Sequence, residues 1–290
     1  MKSLIFGAGS YLGSSFLNYL IKSNEEAYGL SQHLHDKNLI KTNYKFEALS
    51  QIISQYTPNK IYDFKTFKVS SNSNHFDKKI DDMFEKNNNI ITSLKKEYYK
   101  DLELILISTR LLNYSDNSSH PYIKIKMLQE KAYSNLQNDG INAKILRLPN
   151  VIGPGDLNFS RLIPFCIGSY FVNQKILLNS SELVLREYVY LDEALDFIKN
   201  SQISEKKVFT LTNGEVINLL NKVFLEKKLL KVEVDWNTNP HLEVLNSKSI
   251  KSNLNINQQT LQQYFHNTVD WYLDNKDSVI RMFNFFVKKS

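Results

Sequence analysis

Cysteine is almost missing from this chain: of 290 residues only Cys166 is one. No internal disulfide and no multi-cysteine metal site can form, which implies a reducing compartment and makes the cytoplasm the expected location. Long apolar runs are missing too. None reaches the roughly 18 residues that cross a bilayer, and the start MKSLIFGAGS has too short an apolar part for a signal peptide, so a soluble protein without membrane insertion is expected. The formal charge of +6 comes from lysines spread along the chain. No basic block or arginine-and-aromatic stripe accompanies it, which argues against a nucleic-acid partner. The histidines are scattered, and His33 and His35 lack neighbours at metal-ligand spacing, so no metal is expected.

What is present describes a folded chain. Hydrophobic residues make up 42% and aromatics 12%, far from a disordered composition. The opening SLIFGAGSYLGSSFLNYLIKS reads as a short buried strand from Leu4 to Phe6, a glycine turn, and a helix with Leu12, Phe16, Leu20 and Ile21 on one side. EAYGLS, KIYDF, LELILIST and AKILRL supply further strands, with a polar helical stretch around Ile80 to Tyr99 and a helix capped by Gly140 between them. Strands alternating with helices predict an α/β fold built on a parallel, doubly wound sheet.

Past Asn150 the rhythm breaks. A Gly/Pro loop, PNVIGPGD, is followed by a short helix near Ile163, the segment ELVLREYVYLDEALDFI, a strand KVFTLTN and a helix from Val216. The expected division is a nucleotide-binding domain over 1–154, with re-entrant segments at about 190–212, and a smaller substrate lobe over 155–189 and 213–290. Near the end, Phe265, Val269, Tyr272, Val279, Met282 and Phe286 recur at helical spacing, as a core or dimer-packing helix would require.

Two stretches carry chemistry. GAGSYLG places Gly7, Gly9 and Gly13 directly after a buried strand, where backbone amides and the positive end of a helix can receive a dinucleotide's diphosphate. The tip of the second strand reads GLSQHLHDK. Ser31 and Gln32 stand where an acidic residue would bind the adenosine ribose, and no carboxylate comes before Asp36, which favours NADP over NAD; His33, His35 and Lys37 are the groups near a 2′-phosphate. In HPYIKIKMLQEKAY, Tyr122, Lys126 and Glu130 fall four residues apart on one helical stripe. A tyrosine with pKa near 10 is a poor base at neutral pH, and a cation beside it lowers that value by roughly 1 to 3 pH units.

Together with Ser108-Thr109 closing a buried strand, LRLPNVIGPG at Leu146 to Gly155, REYVYLDEA at Arg186 to Ala194, FTLTNGEVINLL at Phe209 to Leu220 and TVDWYLDNK at Thr268 to Lys276, these motifs resemble the extended short-chain dehydrogenase/reductase family, the NAD(P)-dependent epimerases, dehydratases and reductases of nucleotide sugars. The resemblance runs from end to end and implies a Rossmann-type fold. It implies Thr109, Tyr122 and Lys126 as catalytic residues, with Tyr122 the acid/base, Lys126 its activating cation and holder of the nicotinamide ribose, and Thr109 bonded to the reacting oxygen. Glu130 is expected to orient Lys126, and His120 to begin the helix. Cofactor contacts are implied at Gly7, Gly9, Ser10, Tyr11, Leu12, Gly13, Ser31, Gln32, Lys65, Tyr122, Lys126 and Pro149, and substrate diphosphate contacts at Asn150 and Arg186. A homodimer is common among such proteins.

Three departures shape the expectation. The middle glycine of the turn is Ser10, which puts close helix–sheet packing in question. The segment DFKTFKVSSN carries Phe64 and Lys65 where small residues line the cofactor. Thr109 is followed by Arg110-Leu111 rather than the Asp-Glu of the dehydratases, so water elimination lacks its acid and base. The expected activity is therefore NADPH-dependent reduction of a keto group, at C4, on a nucleotide-linked deoxysugar for surface-polysaccharide precursors. A nucleotide-sugar 4-epimerase with tightly bound NAD and a non-catalytic NAD(P)-binding protein are the alternatives.

Overall fold

The structure is a computed structural model that describes residues 1–32, 37–65, 85–86, 89–90, 92–94, 101–113, 121–236 and 256–288. It divides into two compact units, one of Met1–Leu112, Asn117–Leu148 and Ile198–Ile203, the other of Asn113–Asp116, Pro149–Phe197 and Ser204–Ser290. Apart from Asn113–Asp116, the chain passes to the second unit after Leu148 and returns to the first over Ile198–Ile203.

The first unit holds a six-stranded sheet of β1 (Lys2–Phe6), β2 (Glu26–Ser31), β3 (Leu39–Lys41), β4 (Lys60–Asp63), β5 (Glu103–Thr109) and β6 (Ala143–Leu148). Its order is β3-β2-β1-β4-β5-β6, and every pair is parallel. That is the order of a dinucleotide-binding sheet, which reverses direction between β1 and β4. Parallel strands are covered on both faces, so they read as continuous apolar runs rather than alternations. Leu4, Ile5 and Phe6 of β1 and Leu104, Ile105 and Leu106 of β5 are fully buried.

Helices α1 (Tyr11–Lys22), α2 (Phe46–Tyr56) and α3 (Pro121–Asn138) belong to the same unit. α1 buries Gly13, Phe16, Leu17 and Leu20, each large apolar side chain contributing about 1.5–3 kcal/mol. Proline opens α3, where its fixed φ suits the first helical position. Gly140 ends the stretch at φ +83, its amide bonded to Gln137 O and that of Ile141 to Leu136 O. Most of the helical stretch expected at 80–99 lies outside the described residues; those described within it are helical.

The second unit has its own sheets. β9 (Leu185–Tyr190) lies between β7 (Asn150–Ile152), parallel to it, and β10 (Phe209–Thr212), antiparallel, while β8 (Ile176–Leu178) pairs with β11 (Val234–Trp236). The strands of 185–212 therefore lie outside the six-stranded sheet: β9 pairs with β7, and β10 with β9. The helices are α4 (Leu162–Phe171), α5 (Leu191–Asn200), whose last residues pass to the first unit, α6 (Asn213–Glu226), α7 (Gln258–Asp274) and α8 (Lys276–Val287). Thr212 and Glu215 form a reciprocal capping box at the start of α6.

The apolar end of the chain is two helices joined at Asn275, not one. Phe283, fully buried, takes the core position expected for Met282, which is 46% exposed. Phe283 lies about 40° round the helix from Val279, whereas Met282 lies about 60° away. The Phe283 ring sits so close to Gly168 of α4 that a β-carbon there would collide with it.

Candidate active site

In the first unit the chain leaves β1 through Gly7, whose φ of +76 an L side chain rarely adopts. A β-carbon at Gly7 would also come within 3.0 Å of the Lys65 amide nitrogen. Ser10 adopts φ −83 and ψ 159, so the missing middle glycine is not required by backbone conformation. Its hydroxyl donates to Gly7 O at 2.8 Å and accepts from Gly13 N at 3.2 Å, which makes it the N-cap of α1. Close packing is kept by Gly13, where a β-carbon would lie 2.5 Å from Gly7 O. Among the described residues, the amides of Gly9 and Leu12 have no acceptor. Two amide donors at the positive end of a helix suit a diphosphate.

Beneath this turn lies a cluster that sequence reasoning did not assemble. The buried Tyr44 hydroxyl accepts from Gly7 N at 2.9 Å and donates to Leu30 O at 2.8 Å, tying the ends of β1 and β2 together. Asp63, fully buried at the end of β4, takes the Lys65 amide at 2.9 Å, the Lys65 ammonium at 3.4 Å and the Tyr133 hydroxyl at 2.8 Å. The Lys65 ammonium lies 5.9 Å from the Phe6 ring centre and 5.6 Å from that of Tyr44, within cation–π range. Burial pushes the ammonium below its ordinary range, against the pull of Asp63. Phe64 instead packs on Phe16, ring centres 5.5 Å apart, so its bulk is taken up by the core under α1.

α3 carries Tyr122 and, one turn on, the buried Lys126. The Lys126 ammonium donates to Ile107 O at 2.9 Å and to Lys65 O at 3.5 Å. Gln129, a turn further, donates to the same Lys65 O at 3.2 Å. With Tyr133 on Asp63, three successive turns of α3 are fastened to the chain leaving β4. Among the described residues no carboxylate lies within ion-pair distance of Lys126. Burial lowers its pKa to about 8; Asp63 and Glu130 oppose the shift and Lys65 adds to it.

Glu130 does not bond to Lys126 as expected. Ser108 donates to it at 2.6 Å, and Arg147 of β6 grips both oxygens, Nε at 2.9 Å and Nη2 at 2.6 Å. Its carboxylate braces α3 against β5 and β6. Thr109 is buried at the carboxyl end of β5 and accepts the Leu111 amide at 3.3 Å, starting the 3-10 turn Arg110–Asn113. That bond uses a lone pair; donation of the hydroxyl proton is a separate capacity.

The remaining predicted residues divide. Ser31 is buried, with its carbonyl accepting from Thr42 N, and Gln32 is exposed. His33, His35, Asp36 and His120 lie outside the described residues. Pro149, Asn150 and Arg186 belong to the second unit. There Asn150 pairs in register with Tyr188, and Arg186 stands two residues before Tyr188 on the same strand, so all three share one face. Asn150 donates to Glu187 O at 3.0 Å. The Arg186 Nε donates to Asn213 Oδ1 at 3.1 Å, and buried Asn213 is held by its own amide group to Ser180 Oγ at 3.0 Å and Ser181 O at 2.9 Å. Tyr44, Asp63 and Asn213 were missed. Each acts through partners distant in sequence, although Asp63 and Asn213 stand inside motifs that drew attention for other residues.

Residues 3–201 match the sequence model of the NAD dependent epimerase/dehydratase family. No curated protein sequence matches the chain. Among solved structures it is similar to a UDP-glucose 4-epimerase from Thermotoga maritima bound to UDP-glucose, with 15% identity, TM-score 0.71, and 95% of this chain and 99% of that one covered. A dTDP-glucose 4,6-dehydratase from Bacillus anthracis in complex with NAD has 17% identity, TM-score 0.72 and coverage of 96% and 98%. A Thermus thermophilus UDP-glucose 4-epimerase complexed with NAD has 15% identity, TM-score 0.67 and coverage of 94% and 99%. At these identities the likeness is one of fold.

Proposed function

Because the chain belongs to the NAD dependent epimerase/dehydratase family, we propose that it is a nucleotide-sugar oxidoreductase that uses NAD(P)H to reduce a keto group at C4 of a nucleotide-linked deoxysugar, a precursor of surface polysaccharide. The observation that carries the reading is Lys126, held in the first unit by Ile107 O and Lys65 O one turn from Tyr122. The dinucleotide, when bound, supplies the hydride. Gly9 and Leu12 amides hold its diphosphate. Lys126, as a cation, stabilises the phenolate of Tyr122, so that the hydroxyl of Tyr122 can give its proton to the sugar oxygen at neutral pH. Thr109 donates to that oxygen through the hydroxyl proton that its bond from Leu111 leaves in place. Arg186, steadied by Asn213, and Asn150 bind the substrate's diphosphate.

Reduction is favoured over dehydration by Arg110 and Leu111, which follow Thr109 and can serve neither as acid nor as base. NADP is favoured by Ser31 and Gln32; the NAD bound by the Bacillus and Thermus enzymes keeps NAD as the alternative. A 4-epimerase is the second reading, supported by the likeness to the UDP-glucose-bound Thermotoga enzyme. Incubating the protein with NADPH or NADH and a panel of nucleotide 4-keto-deoxysugars separates them. Stoichiometric cofactor oxidation with a reduced sugar product is expected. Interconversion of two 4-epimers with no net cofactor consumption would replace the first reading by the second.

A further inference from the structure

β3 is an edge strand of the six-stranded sheet, and its last residue, Lys41, is the register partner of Ser31 at the end of β2. Neighbouring strands lie about 4.8 Å apart, and residues paired in register put their side chains on the same face. Two residues earlier that face is identified: a β-carbon on Gly29 would meet Ala8 of the glycine turn, Leu17 of α1 and Leu39, its own partner on β3. Lys41 therefore stands level with Ser31, on the side of the sheet that the glycine turn and α1 cover. The bond from Thr42 N to Ser31 O at 2.9 Å holds that level.

Lys41 differs from the other lysines on the strands of this sheet. Lys2 of β1 pairs with Glu26, while Lys60 of β4 and Lys144 of β6 share Glu103. Lys41 is exposed, and among the described residues its ammonium has neither an ion pair nor a hydrogen bond. It also closes its strand, and open α/β sheets take their ligands outside the carboxyl ends of the strands. From Gln32 to Lys45 the chain sets three lysines against the single carboxylate of Asp36.

We infer that Lys41 is a specificity-determining residue for the dinucleotide: its ammonium receives the 2′-phosphate of NADP beside the end of β2, where Ser31 offers no carboxylate to repel that group. The inference rests on the reading of the glycine turn as the dinucleotide site, and it names the cation that a preference for NADP requires. A phosphate monoester carries a charge of about −1.5 to −2 at neutral pH, and an ammonium on a flexible four-carbon stem can follow it. NAD has only a hydroxyl at that position and gains nothing comparable from Lys41.

The test is titration of the full chain with NADP and NAD, and with 2′,5′-ADP and 5′-AMP as probes of the ribose end, followed by fluorescence or calorimetry. The wild-type protein is expected to bind NADP more tightly than NAD, and 2′,5′-ADP more tightly than 5′-AMP. K41Q should weaken both 2′-phosphorylated ligands by about tenfold and leave NAD and 5′-AMP within about twofold. K41R, which keeps the cation, should retain the wild-type ratio. A lysine that only keeps the edge strand from pairing with another chain would leave the NADP-to-NAD ratio of K41Q unchanged. That result overturns the inference and leaves the preference for NADP standing. Equal weakening of both dinucleotides also overturns it, because the 2′-phosphate is then not what Lys41 meets. A wild type that prefers NAD overturns the NADP reading and this inference together, and failure of both dinucleotides to bind overturns the cofactor site itself.

Discussion

The hydroxyl of Tyr44 takes the amide of Gly7 at 2.9 Å and passes its own proton to Leu30 O, so one side chain closes the gap between β1 and β2 at the glycine turn. Tyr44→Phe leaves the Gly7 amide without its acceptor, an omission costing about 1–3 kcal/mol before relaxation, while Leu30 O keeps its bond from the Ala8 amide. Urea denaturation is expected to show a loss of about 2 kcal/mol in unfolding free energy. A midpoint equal to that of the wild type would mean the hydroxyl contributes nothing.

Lys126→Met is expected to stabilise the fold and destroy activity together. In the folded state Lys126 titrates at about 8 rather than 10.5. The unfolded chain binds more protons between those values, so wild-type stability rises with pH across that window; below it the full penalty of the buried cation, about 3 kcal/mol, is present. Thermal melting should therefore favour K126M most clearly at pH 7 and show the gap closing toward pH 10. A gap that widens with pH would reverse the sign of the argument.

Tyr122→Phe removes the proposed proton donor and leaves the turn, Lys126 and Lys65 in place. Turnover should fall by about two to four orders of magnitude, while dinucleotide affinity measured by fluorescence stays within a few-fold of wild type. Retained turnover would take Tyr122 out of the mechanism.

Asn213→Ala frees the Arg186 Nε without touching the first unit's site. If Arg186 binds the substrate diphosphate, the KM for the nucleotide sugar should rise roughly tenfold, the loss of about 1.4 kcal/mol of binding, with kcat and dinucleotide affinity little altered. Equal effects on substrate and cofactor would point to general loosening of the fold.

The sheet and the turn were legible in the sequence because their signals are local. EAYGLS and AKILRL coincide with β2 and β6, and the apolar run before Gly7 marks β1. Asp63 was legible as a strand end but not as the anchor of α3, since its partner Tyr133 is 70 residues away. The brace at Glu130 was assigned to the wrong partner for a related reason. Helical spacing brings Glu130 near Lys126, but Arg147 offers a two-pronged bond from β6 that spacing within one helix does not reveal. Ser10 looked like a defect against the family pattern until its dihedral angles and its cap to Gly13 were known. The three-residue β3 gives too short a signal to find, and the break at Asn275 has neither glycine nor proline to announce it.

Gly168 and Phe283 share a single allotment of volume, one supplying the hollow and the other filling it. Neither position is then independent of the other. Gly168→Ala should be harmful beside Phe283 and far better tolerated beside Phe283→Leu, so the pair can drift through sequence space only by moving together.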